Sequence, residues 1–156
     1  VKPSLEAFWD ERLVITEAHR LKLVHLQDRY NAGGGMTVNY LGHFEGKECF
    51  GCNAGNKMVY VDAFGEMSPC VFTPMSFGNV HSDTVSAIFR EMRSHFPSEE
   101  SCFINRNFRL LQKHSAGEQV LHKAAAALML QEVTFGEMST FNRLYYGSSM
   151  AREATA

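Results

Sequence analysis

Nowhere in its 156 residues does this chain hold the run of roughly 20 apolar residues that a membrane-spanning helix needs. It also lacks the basic-then-apolar N-terminus of a secretory signal, so a cytoplasmic, membrane-free protein is expected. Charge of neither sign prevails: Lys and Arg number 15 against 17 Asp and Glu, for a formal net charge of -2. That balance leaves no basic footprint for nucleic acid. Internal repeats, charge blocks, phosphate-cradling loops and nucleophile–base pairs are all missing. Cysteine is scarce as well. Four are too few for a small disulfide scaffold, and without secretory features a clustered set reads as a metal site, with two disulfides as the alternative. The first residue is Val1, not Met, which is expected of a piece of a longer chain. What remains is ordinary globular composition, 45% hydrophobic and 21% charged, enough for one domain with a real core.

The four cysteines, Cys49, Cys52, Cys70 and Cys102, fall in one window. Cys49 and Cys52 form a C-x2-C pair, from which two thiolates can grip one metal centre. Cys52 and Cys70 are separated by 17 residues that a hairpin can fold back. Cys70 and Cys102 are separated by 31, enough for a loop, a helix and a return. Four thiolates suit a tetrahedral zinc or a cubane iron–sulfur cluster, and spacing alone leaves both open.

Along the chain, Ser4 as N-cap and Glu6 in the first turn open an amphipathic helix of about 5–30, with a possible break near Asp10. Gly33, Gly34 and Gly35 end it, and a short strand of about 36–41 follows. Gly51 and Gly55 flank Cys52, which lets the backbone wrap closely. Residues 58–62 and 67–72 read as two strands of a hairpin turning at Gly65, with Pro69 on an edge before Cys70. Ser82 or Asp83 caps a helix of about 83–95 with the stripe Val85, Ile88, Phe89 and Met92. Beyond Cys102 a short helix, then an alanine-rich one of about 117–132, precede a weaker segment and a frayed tail.

Other residues carry bland readings. His19 and His25 read as solvated, His81 and His95 as surface or capping groups. His43 stands six residues before Cys49 and is read as a loop histidine, replacement of a cysteine ligand being the lesser alternative. Asp62 and Asn79 read as turn-fixing side chains. Phe50, Tyr60, Phe64, Phe72 and Phe77 are expected to shield the centre, and Met67 and Met75 to fill core gaps.

The set Cys52, Gly65 and Cys70 (C-x12-G-x4-C), the segment MVYVDAFGEMSPC and the FGNV loop ending at Val80 resemble the auxiliary-cluster region of radical S-adenosylmethionine (radical SAM) enzymes. That region is the SPASM domain or its shorter twitch form, and the resemblance covers about 45–102. It implies one auxiliary [4Fe–4S] cluster held by Cys49, Cys52, Cys70 and Cys102. No cysteine follows Cys102, so a second SPASM cluster is not expected. The C-x3-C-x2-C motif of the cluster that cleaves S-adenosylmethionine is also lacking. The resemblance therefore places S-adenosylmethionine, its cluster and the radical SAM core in a missing N-terminal part. A peptide or protein is the substrate it suggests. The expected fold is α+β: residues 1–44 a helix–strand remnant of a partial (β/α) barrel, 45–102 the hairpin cluster region, 103–156 C-terminal helices. A zinc-stabilised, non-catalytic binding module is the alternative.

Overall fold

Regular β-pairing is sparse here, and most of the chain is ordered by helices and by isolated long-range backbone bonds. The computed structural model describes residues 10–115, 118 and 120–145. The expected Ser4 cap and first helical turns lie outside them. Asp10 caps a 3₁₀ turn, Glu11–Leu13, and the first described α-helix, α1, spans Glu17–Ala32. Thr16 caps it: its Oγ1 accepts from His19 N at 3.2 Å, while Thr16 N donates to His19 Nδ1. The helix is thus shorter at its start than the sequence suggests, because the Thr16–His19 box fixes where it begins. No residue of α1 is fully buried, and Leu21, Leu26 and Tyr30 are exposed.

The strand expected at 36–41 does not form; the chain runs extended to a 3₁₀ turn at Leu41–Glu45. Side chains of α1 take the ladder's place. Asn31 bonds Val38 through both its amide groups (2.9 and 3.0 Å), and Gln27 Oε1 accepts from Tyr40 N at 2.7 Å. Backbone polar groups need partners, and here the preceding helix supplies them.

The hairpin does form, though short. Strands β1 (Tyr60–Val61) and β2 (Met67–Ser68) pair antiparallel, with Tyr60 opposite Ser68 and Val61 opposite Met67. Gly65 turns the chain at φ 85°, and Asp62 Oδ1 accepts from Phe64 N and Glu66 N, the fixing role expected of it. On its other side Met67 exchanges bonds with residues 77 and 78, and Asn79 Nδ2 bonds Phe64 O and Glu66 Oε1. Tertiary pairing replaces the longer strands expected from pattern alone.

Helix α2 spans Val85–His95 and is capped by Thr84, not by Ser82 or Asp83. Ser82 Oγ is already engaged with Asn79 O and Asp83. Helix α3 spans Phe103–Ser115 and α4 spans Lys123–Glu132. The alanine-rich helix begins later than expected because Leu121 is committed elsewhere: its N–H bonds Pro74 O, and its carbonyl accepts from Ser76 N. The core joins Met67, Met75, Ile88, Met92, Leu111, Leu121 and Met129 in one cluster. The architecture is mixed helix plus a two-stranded antiparallel sheet, and no helix among the described residues is long and apolar enough to cross a membrane.

Candidate metal centre

Three separate pieces of chain deliver the cysteines. Cys52 leaves a tight turn at Gly51, whose φ of 66° and closeness to Glu99 O leave no room for a side chain. Its N–H then donates to Glu99 O at 2.7 Å. Cys70 follows β2 and starts a turn in which Thr73 N donates to Cys70 O. Cys102 stands directly before α3. A C-terminal strap closes over these pieces: Glu100 N bonds Glu137 O, Thr140 N bonds Lys47 O, and Ser139 Oγ bonds Phe50 O. The side chain of Asn142 also reaches Phe50 O. No local pattern signals this strap, whose bonds to Phe50 join residues some ninety positions apart.

The sulfurs are unequal. Cys52, Cys70 and Cys102 each accept hydrogen bonds from backbone N–H groups: Cys52 from Ala54 and from the distant Phe103, Cys70 from Phe72 and Thr73, and Cys102 from Asn105. Cys102 donates its thiol proton to Cys52. That bond, with the N–H groups of Phe103 and Ala54, holds Cys52 below the ordinary thiol pKa. Donating it, and burial, push Cys102 well above. Burial also raises Cys70, against the hydroxyl of Thr73 at 3.0 Å from its sulfur. Cys70 is within electrostatic reach of Cys52. Cys49 is half-buried in the turn before them, where its thiol bears on the Arg20 guanidinium.

Among the described residues no three His, Cys, Asp or Glu side chains converge as a single metal ion requires. A tetrahedral zinc draws four donors to about 2.3 Å; a cubane binds each thiolate to a different iron. Buried thiols supplied with N–H donors are what iron–sulfur sites use to stabilise thiolate and tune potential, so these residues fit such a cluster.

The shielding aromatics are not those expected. Phe77 is buried, but Phe50, Phe64 and Phe72 are exposed and Tyr60 is half-buried. The apolar wall beside Cys52 is Phe96, Phe103 and Phe135, with Phe96 and Phe103 meeting edge-on at 4.9 Å between centroids. Phe103, adjacent to Cys102 in sequence, was the signal available for this wall. His19, His25, His81 and His95 are exposed. His43 Nδ1 is buried without a hydrogen-bond partner among the described residues, its ring edge-on to Phe44. Glu99 was not anticipated: 2% exposed, it takes Gly136 N at 2.7 Å and Arg106 at 3.3 Å on Oε2, while Oε1 has no partner. Burial raises its pKa.

On another side of Cys102 opens a cleft of about 530 Å³, walled by Val14, Ile15, Leu41, Phe72 and Phe108, with Glu45 and Tyr40 among its polar groups.

No curated protein and no solved structure matches the chain significantly. Its residues 52–114, from Cys52 through Cys70 and Cys102 to His114, match the family model of SPASM, an iron-sulfur cluster-binding domain, and iron–sulfur binding is the property this stretch shares with that family.

Proposed function

We propose that this chain holds one auxiliary [4Fe–4S] cluster of a radical SAM enzyme. One observation carries the reading: each of the three cysteines inside the matched stretch has a sulfur that accepts backbone N–H groups. Cys52, Cys70 and Cys102 bind the cluster, and the sequence offers Cys49 as the fourth donor. When bound, such a cluster supplies one-electron transfer. The protein's part is to keep thiolates charged through N–H and hydroxyl donors and to exclude water with Phe96, Phe103 and Phe135.

The radical chemistry itself belongs to a core bearing C-x3-C-x2-C, which this sequence lacks. In this proposal residues 1–44 continue that core's partial barrel, 45–102 hold the cluster, and 103–156 are a C-terminal helical segment. The exposed apolar residues of α1, Leu21, Leu26 and Tyr30, then have the core to pack against. S-adenosylmethionine binds to the core, and the substrate is a peptide or protein.

Anaerobic reconstitution tests this. A brown, oxygen-sensitive protein with iron and sulfide in near-equal amounts is expected; zinc alone, retained in air, overturns the proposal in favour of a zinc-stabilised binding module.

A further inference from the structure

The cleft of about 530 Å³ beside Cys102 falls in the size range of small-molecule sites, roughly 300–1,000 Å³. Its walls are chiefly apolar, from Val14, Ile15, Leu41, Phe72, Ile104 and Phe108. The charge among them has one sign. Asp10 and Glu45 line the cleft, and no lysine, arginine or histidine among the described residues does.

Asp10 is committed, its carboxylate holding the Arg12 guanidinium at 2.7 Å. Glu45 is not: its half-buried side chain accepts no hydrogen bond among the described residues. Arg20 is within electrostatic reach of Glu45, but its N–H groups go elsewhere. Nε and Nη2 grip Glu17 (2.9 and 2.7 Å), and Nη1 bonds Gly42 O at 3.3 Å. One guanidinium thus answers two carboxylates, and a negative charge is left over. Arg20 also pins the turn that carries Glu45, since its guanidinium lies against Gly46, where a Cβ would stand 2.8 Å from it.

Tyr40 stands next to that charge. Burial, and after it the Glu45 carboxylate, raise its phenol pKa, and both residues line the cleft. A cation seated there meets an anionic oxygen and an aromatic ring together. An apolar setting penalises an unpaired carboxylate, and a cation attached to an apolar body removes that penalty while it covers the walls.

We propose that this cleft binds a ligand joining one cationic nitrogen to an apolar or aromatic body, with Glu45 receiving the cation. The inference rests on the cleft's own residues and not on the iron–sulfur reading, although Cys102 in its wall sets such a ligand beside a cluster held there. A free aromatic amine and the lysine side chain of a peptide share this chemistry.

Calorimetry on the full chain after anaerobic reconstitution tests it, with phenethylamine, 2-phenylethanol and 3-phenylpropionate as cationic, neutral and anionic probes. Phenethylamine is expected to bind about tenfold or more tightly than 2-phenylethanol, and 3-phenylpropionate not to bind. Glu45→Gln is expected to abolish the advantage of the amine and leave 2-phenylethanol unchanged. Leu41→Ser, at a wall residue 74% exposed, is expected to weaken both, and it keeps the proposal testable should Glu45→Gln fail to fold by circular dichroism. A capped lysine peptide is compared with its lysine-acetylated form. Glu45-dependent binding of the peptide above that of phenethylamine, lost on acetylation, supports the proposal with a basic side chain as the source. Weaker peptide binding supports it with a free amine as the source. Equal binding of the three small probes, amine binding unchanged in Glu45→Gln, or no binding of any probe overturns it. Iron and sulfide in the same samples read the cluster assignment separately, so either proposal can fail without the other.

Discussion

The backbone N–H of Cys52 donates to the carbonyl oxygen of Glu99 at 2.7 Å, tying the first matched cysteine to the segment that ends in Cys102. Forty-six residues of sequence lie between the bonded pair. One backbone bond therefore sets the approach of two elements whose thiols share a proton.

Gly51 makes that bond possible. A Cβ there would stand 2.4 Å from Glu99 O, at a φ of 66°. Gly51→Ala is expected to cost roughly 1–3 kcal/mol from backbone strain, with the clash in addition. Urea unfolding measures the loss, and an unchanged midpoint would show that the turn can relax.

Cys70→Ala is expected to abolish cluster assembly, whereas His43→Ala leaves it intact. Burial of Cys70, the Thr73 contact and its reach to Cys52 give the sulfur no substitute nearby. Iron and sulfide per chain after anaerobic reconstitution decide between these outcomes.

Thr73→Val removes the hydroxyl 3.0 Å from Cys70 sulfur without changing shape. Donors to cluster sulfurs favour the reduced, more negative state. Losing a hydrogen bond worth about 1 kcal/mol should lower the one-electron potential by about 40 mV. An EPR-monitored redox titration measures the shift, and no shift would place the hydroxyl outside the cluster's field.

Glu99 makes a pH prediction for the metal-free chain. Burial raises its folded-state pKa above the ordinary 4.5, so its charged form is disfavoured by folding. The penalty is full at pH values above the raised pKa and fades as pH falls below the ordinary 4.5, where both states become protonated. Glu99→Gln is therefore expected to be more stable than wild type at neutral pH, and the difference should shrink on acidification. Denaturation midpoints at several pH values test this; a wild type more stable at neutral pH would mean that the Arg106 and Gly136 bonds outweigh desolvation.

The hairpin was legible because its signals are local. Gly65 supplies positive φ, Asp62 caps the turn with its own side chain, and Met67 shows the expected burial. Helix α2 was legible from its apolar spacing, though its cap fell to Thr84 once Ser82 had bonded Asn79. Residues 36–41 misled because an extended pattern does not say who will satisfy its backbone; Asn31 and Gln27 did. The alanine-rich stretch favoured helix over 117–122 by propensity, and at Leu121 the pairing with Pro74 and Ser76 prevailed.

By itself the sequence determined the chemistry available: four thiols in one window, a glycine-turned hairpin between two of them, and the SPASM resemblance that residues 52–114 bear out. Tertiary structure alone decided how those thiols differ. Which sulfur receives which N–H donors, and that Cys102 donates its thiol to Cys52, depend on chain segments brought together by Glu99 and the 137–142 strap. Spacing says how far a cysteine can reach; only folding sets the field it meets there, because hydrogen bonds and charges act through space and not along the chain.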